Sequence, residues 1–470
     1  MDNKQLKDHK QIGKELELFF TDEIAPGAPF WLPKGMVIFK ELEKYIRELT
    51  EKAGYLETST PIMVKTNLFR QSGHWDKFGE GEGHDMYNLS LWESADIQSI
   101  LNLIIEQARK QFPVGSEIKS PISVTIRIDH KSYKEDVTVQ IAEARYEDTN
   151  LILNGIALPV NYTLKPMNCP GSTILYSFRP RSYRELPLRL SEIGRLHRRE
   201  ESGELNGLLR VRQITMDDAH IYATEDQIFD EVSNILDMMM DFYKKFGFEY
   251  EFRLATRPET RAGVDEGWDK AENALADALK KKGIKAGDKM GDGAFYGPKI
   301  DVHIKDSQGR EWQLATVQLD FHQPEAFKLE YIDSDGKTKR PVMIHRAIFG
   351  SFERFIAILT EQYQGAFPLW LSPVQVQIIP IADRHLNYAQ KVLEQLKSTN
   401  IRVEIDSRAE KMQSKIRDAQ MQKIPYMLII GDREVEDKKV TLRTRTENNS
   451  GAMSTEEFIN KIKLEIESKE

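Results

Sequence analysis

Residues 196–220 read LHRREESGELNGLLRVRQITMDDAH, and two pairs of arginines, Arg198 with Arg199 and Arg210 with Arg212, bracket a glycine-containing turn in the middle of the stretch. The pattern predicts a hairpin whose arms bring guanidinium groups together. Each guanidinium carries a fixed charge and paired donors, which suits a polyphosphate. A solvated charged hairpin fits the same charge pattern, and the stretch alone leaves both readings open.

Outward from this hairpin, residues 163–367 are dense in Arg, His and Asp beside turn signals, the texture of a site built on strands. Helical periodicity marks 225–246 and 268–281. In DGAFYGPKID, residues 292–301, Gly297-Pro298 makes a turn that presents Tyr296 and Lys299, although a plain hairpin turn explains it equally well. In IHRAIFGSFERF, residues 344–355, helical spacing begins after Gly350. Arg354 is then either a second phosphate ligand or an exposed helix charge.

Beyond Pro368 and Pro373 come strand VQVQIIPI, a helix over 387–398, strand RVEID, a helix over 411–422, strand YMLIIG and strand VTLRT. This alternation predicts a compact α/β domain with a mostly parallel sheet. Toward the start, apolar positions Met36, Val37, Phe39, Leu42, Ile46 and Leu49 predict a helix over 31–53, with a strand over 55–64 following it. Residues 88–160 differ in texture. An amphipathic helix over 95–112 ends at Pro113 and Gly115, and alternating segments SVTIRI and VTVQIAEA follow, as in a small helix-plus-strand module inserted into a larger domain. The expected domains are therefore 1–371, with 88–160 inserted, and 372–470.

The length of 470 residues calls for more than one core. A net charge of -8 argues against nonspecific coating of nucleic acid while leaving room for local basic patches. No apolar run approaches membrane-spanning length, and the start, MDNKQLKDHKQ, has neither an apolar signal core nor an Arg-rich transit character, so a cytoplasmic address is expected. A single cysteine, Cys169, rules out an internal disulfide; it is a ligand, a nucleophile or a small buried hydrophobe. Spacing reveals no metal site, because Cys169, His220 and His345 lie far apart in the chain.

The strings SGHWDKF, YTLKPMNCPG, ELPLRLSEIGRLHRRE, GLLRVRQITMDDAHIY, GAFYGPKID, TVQLDF, PVMIHRAIFGSFERF and IPYMLIIGDREVE stand in this order and closely resemble threonyl-tRNA synthetases of class II over nearly the whole chain outside 88–160. The resemblance implies an α+β architecture: a class II antiparallel sheet with flanking helices, then an α/β anticodon-binding domain. It implies an ATP-dependent ligase that activates threonine and transfers it to its tRNA, with zinc and with magnesium accompanying ATP. Cys169, His220 and His345 match the family's zinc ligands. Asp218 matches the aspartate at the substrate hydroxyl, and Met167, Tyr296, Lys299 and Gln318 fall on positions lining the amino-acid and adenylate site. Arg198 matches the α-phosphate arginine, Glu200 the acceptor for the adenine amino group, and Arg354 the arginine on the ATP tail, with Arg210 and Gln313 near the nucleotide. His74 matches a histidine near the terminal ribose of tRNA. Glu434 and Arg443 match anticodon-contacting positions. A homodimer pairing through 31–68 is also implied.

Several residues depart from the family pattern. Ile214 stands in place of a phenylalanine that stacks on adenine, Met216 in place of a glutamine, Ser172 in place of the histidine of NCPGH, and Ala409 in place of an asparagine used in anticodon reading. They motivate an alternative, a non-catalytic paralogue binding tRNA or amino acid in regulation. The family's two N-terminal modules, one of which hydrolyses seryl-tRNA, have no counterpart in these residues, so the sequence is expected to act without an editing domain.

Overall fold

The computed structural model describes residues 6–75, 86–89, 97–129, 134–147, 150–157, 162–446 and 451–469. Ala95 and Asp96 of the expected middle helix, and Asp76 to Phe78 of SGHWDKF, lie outside them. The chain divides into two compact units, Met1–Thr60 with Asn168–Glu470, and Pro61–Met167.

The larger unit is built on an eight-stranded sheet. In chain order its strands are β1 (Leu56–Glu57), β2 (Leu188–His197), β3 (Gln213–Ala223), β4 (Tyr250–Ala255), β5 (Gly287–Lys289), β6 (Lys299–Lys305), β7 (Glu311–Asp320) and β8 (Val342–Ser351). They lie side by side as β5-β4-β6-β7-β8-β3-β2-β1. The six central strands pair antiparallel, and β5 and β1 add a parallel strand at each edge.

Alternation along these strands divides the labour between faces. Ala219, Ile221, Ile300, Val302, Val317, Leu319, Val342 and Ile344 enter one apolar core. Helices α1 (His9–Glu15), α2 (Pro33–Lys52), α3 (Ile228–Lys245), α4 (Asp265–Lys281) and α5 (Phe352–Gln362) contribute to it, through Ile38, Leu42 and Ile46, through Leu236, Met239 and Phe242, and through Phe352, Phe355 and Leu359. The intervening residues Asp218, His220, Lys299, Asp301, Gln318 and His345 are thereby turned to the other face.

Residues after Pro368 form a five-stranded sheet of β9 (Val376–Pro380), β10 (Val403–Ile405), β11 (Tyr426–Ile430), β12 (Lys439–Thr444) and β13 (Gly451–Ser454) in the order β10-β9-β11-β12-β13. Only the two ladders around β9 are parallel, and β11-β12 and β12-β13 are antiparallel, which corrects the mostly parallel expectation. The cause is loop length. Gly431 to Lys438 holds only the short helix Asp432–Asp437 and ends at Lys438 with φ 55°, which is too short for a parallel crossover, so the chain turns straight back. Strand β13 and the closing helix Thr455–Ser468 were not foreseen from the sequence.

In the smaller unit, Met63–Lys65 and Asn88–Leu89 flank Tyr162–Leu164 in one sheet. The strands Ile122–Asp129, Lys134–Glu147 and Asn150–Ala157 form an antiparallel meander, and Ile104 and Ala108 of the helix Ile97–Gln111 pack on its Val124, Ile126, Val139 and Ile141. The expected insertion over 88–160 lies inside this unit.

Candidate active site

Register places four side chains in one rank across the polar face of the large sheet: Lys299 opposite Gln318, Gln318 opposite His345, and His345 opposite His220. Asp218 occupies the neighbouring rank, opposite Ala347 on β8 and Glu192 on β2. Residues on four separate strands are thus brought to one spot by strand pairing. Cys169 joins them from the first residue of the helix Cys169–Ser177, so that ligand atoms of Cys169, His220 and His345 lie within 4.8 Å of one another, all buried.

Electrostatics at this cluster favour a cation. Burial raises the Cys169 thiol far above its ordinary range, a hydrogen bond with Gln323 opposes the rise, and the nearby Asp320 and Asp218 add to it. A thiolate held there beside two carboxylates needs a compensating positive charge, which a metal ion supplies. His345 Nε2 lies 2.9 Å from Asp320 Oδ2, leaving Nδ1 as the ring atom for an ion. Asp320 is itself fixed by the backbone amides of His322 and Gln323 and by Gln323 Nε2. The donor set and its carboxylate-oriented histidine fit zinc.

Beside the cluster, Tyr296 donates to Gln318 Oε1 at 2.8 Å and its ring centroid is 5.0 Å from that of His345. Asn168 Nδ2 donates to Asp218 Oδ2 at 2.7 Å. Burial raises the Asp218 carboxyl in spite of that bond and of the Arg198 charge. The Lys299 ammonium is held by Asp301 at 2.7 Å and by Asp292 at 3.6 Å.

The arginine hairpin is real: β2 and β3 pair from Leu188–Tyr222 to His197–Gln213, and Arg198 N donates to Arg212 O beyond them. Ser351 caps α5 by accepting from Arg354 N, and Gly350 before it takes φ +77°, where an added Cβ would also strike Leu314 O. This turn delivers Arg354 to the hairpin. Burial, and then repulsion from Arg198 and Arg210, lower the Arg354 pKa against the opposing charge of Glu200, because three guanidinium groups are brought near one another here. Arg354 Nε donates to Leu209 O and its Nη1 to Gln313 O, while its Cζ lies 5.7 Å from the Trp312 ring centroid. Glu200 accepts from Arg210 at 2.7 Å. At the departures from the family pattern, Ile214 and Met216 pack with Leu196 and Val211, and Ser172 accepts from the Tyr222 hydroxyl.

His74 and Met167 belong to the smaller unit. His74 is buried there with Nδ1 2.7 Å from Ser72 Oγ, and Met167 is half-buried. Far from the cluster in sequence, Glu434 is pinned by Thr441 and by Gly431 N, and Arg443 sits on β12 opposite Met427. Sequence reasoning missed Asp320, Asn168, Asp301 and Trp312. A signal existed for Asp320, because in TVQLDF it stands two residues from Gln318 and so shares its face.

Known proteins resemble the chain over most of its length. The class II tRNA synthetase core domain family (G, H, P, S and T) matches residues 158–363, and the anticodon binding domain family matches 375–465. Threonine--tRNA ligases of Clostridium botulinum strain Langeland and Clostridium kluyveri are 46% and 45% identical over 98% and 100% of this chain. The chain spans 62% and 63% of the length of these two curated relatives. A solved structure described as the RNA binding domain of threonyl-tRNA synthetase from Cryptosporidium parvum Iowa II is 34% identical, covers 97% of this chain and 98% of its own, and superposes with a TM-score of 0.81. A putative threonyl-tRNA synthetase from Aeropyrum pernix, 23% identical over 98% of this chain and 97% of its own, shares the fold with a TM-score of 0.72.

Proposed function

The chain belongs to the threonyl-tRNA synthetases of class II, and on that premise we propose that it is a threonine--tRNA ligase, activating L-threonine with ATP and passing it to tRNA(Thr). The observation that carries the reading is the meeting of Cys169, His220 and His345 beside Asp218 and Tyr296, on the sheet face reached by the arginine hairpin. Cys169, His220 and His345 would hold zinc, which when bound supplies an open Lewis-acidic position for the amino and hydroxyl groups of threonine.

Asp218, oriented by Asn168, accepts the substrate hydroxyl, and Tyr296 and Gln318 close the side of the amino-acid site. Met167 is a further substrate contact. Arg198 holds the α-phosphate as the threonine carboxylate attacks it, stabilising charge that grows on the phosphoryl oxygens. Arg354 and Arg210 take the rest of the polyphosphate, whose negative charge offsets the repulsion among the three guanidinium groups, and magnesium would accompany the ATP as its counterion. Lys299 lines the adenylate site, Glu200 accepts from the adenine amino group, Gln313 lies near the nucleotide, and His74 handles a proton in transfer to the tRNA ribose. Glu434 and Arg443 contact the anticodon. A cytoplasmic homodimer pairing through 31–68 is part of the same reading; among the described residues no helix is long and apolar enough to cross a membrane. A non-catalytic role gains no support from Ile214, Met216 and Ser172, whose side chains are absorbed by packing and one hydrogen bond.

ATP-pyrophosphate exchange with a panel of amino acids tests the proposal. Threonine should drive exchange best. Serine keeps both metal-binding groups and loses one methyl contact, so its discrimination should be only about 10–200-fold. Valine lacks the hydroxyl and should fall by roughly 10⁴-fold. Exchange with proline or glycine above threonine, or with none of the panel, would sink the reading.

A further inference from the structure

Helix α1 begins with His9, 1% exposed, and every polar atom of that residue's ring is spoken for. Leu208 N, a donor, lies 3.1 Å from His9 Nε2, so Nε2 is the acceptor and Nδ1 carries the proton. Nδ1 accordingly donates to Glu361 Oε1 at 2.7 Å, and His9 N donates to the same oxygen at 3.0 Å. One neutral imidazole therefore ties together two elements that meet the nucleotide from different parts of the chain. Leu208 belongs to the tip of the arginine hairpin, between Asn206, whose N donates to Arg210 O, and Leu209, whose carbonyl holds Arg354 Nε. Glu361 lies two turns after Arg354 on α5.

The fit at the tip is close. Gly207 has φ +53°, and a Cβ there would come within 2.3 Å of His9 Nε2. Lys10 Nζ reinforces the contact by donating to Asn206 Oδ1 at 3.1 Å. On the other side Glu361 Oε2 accepts from Gln308 Nε2 at 3.0 Å and from Arg310, and Arg310 shares Asp306 with Trp312, the ring against which Arg354 lies.

We propose that His9 is a positioning residue for ATP, locking the 206–210 turn against α5 so that Arg210 and Arg354 meet the polyphosphate in a single geometry. The inference rests on the ligase reading for its nucleotide. Its signature is a loss confined to ATP, because the bridge ties together elements on the nucleotide side, whereas Cys169, His220 and His345 serve the amino acid.

The test uses the whole chain, with ATP affinity measured by calorimetry alongside threonine-dependent exchange. His9→Asn keeps a donor for Glu361 and loses the acceptor for Leu208 N; ATP Kd and the KM for ATP should rise about tenfold, with the KM for threonine within about twofold. His9→Gln returns an acceptor near the Nε2 position but gives up the Nδ1 donor, leaving only the backbone N of residue 9 on Glu361, and should recover part of the loss. An ATP Kd for His9→Asn within about twofold of the parent overturns the inference. Should His9→Asn fail to fold, Gly207→Ala, at the tip of the hairpin, carries the same expectation and the same refutation. A parent chain that binds ATP without threonine-dependent exchange defeats the ligase reading while the affinity comparison still decides His9; a parent that binds no ATP defeats both.

Discussion

The two large sheets of this molecule are used in opposite ways. In the eight-stranded sheet one face is apolar and covered by helices, while the other carries Lys299, Gln318, His345 and His220 in a single rank. In the five-stranded sheet both faces are apolar: Val376, Ile378, Leu428 and Ile430 enter one cluster, and Ile379, Met427 and Ile429 another. A parallel centre buried on both sides leaves no face for chemistry, so Glu434 and Arg443 sit toward its antiparallel side, on the short helix and on β12. An antiparallel sheet can give one face to polar groups, provided each buried one is satisfied by a partner or a ligand. On the proposed reading, the contrast puts candidate chemistry on a face in the first sheet and beside the antiparallel strands in the second.

The largest effect should come from Cys169→Ser. A hydroxyl is a poor zinc ligand at neutral pH, so metal content should fall to near zero and threonine-dependent exchange by about 10³-fold or more, with the thermal midpoint little changed. A collapse of the midpoint would break the comparison, because the polar face would then be holding the fold as well as the chemistry. Asp320→Asn sharpens it. The change keeps size and removes the charge behind His345, and zinc affinity measured by chelator competition should weaken about 10–100-fold. Unchanged affinity would mean that strand register alone orients the histidine. The smallest effect is expected at the second sheet's margin: Arg443→Ala should lower aminoacylation roughly tenfold through the KM for tRNA and leave amino-acid activation untouched. A fall in activation would show that the two sheets are not functionally separable.

Elements with strong local periodicity were legible in the chain itself. The predicted helix over 31–53 is α2, Pro33–Lys52, and that over 225–246 is the 3-10 turn Glu225–Gln227 followed by α3, Ile228–Lys245. The Arg198–Arg212 hairpin was also readable, since both arms and the turn lie within one short stretch. The meeting of Cys169, His220 and His345 was not readable from spacing and came only through the resemblance of MNCPG, DDAH and MIHR to a known family, because the three residues are separated by 51 and 125 residues. Asp320 and His9 carried no reading at all.

What the sequence by itself determined is the set of amphipathic segments, the arginine-rich turn and the kinship that names the chemistry, all of them properties of neighbours along the chain. Tertiary structure alone decided which side chains face one another. Antiparallel register set His345 between Gln318 and His220, loop length turned β12 back against β11, and packing brought His9 to Glu361 across more than 350 residues of chain. Such contacts depend on how segments pair in space, and a period along one strand or helix holds no information about its partner's register.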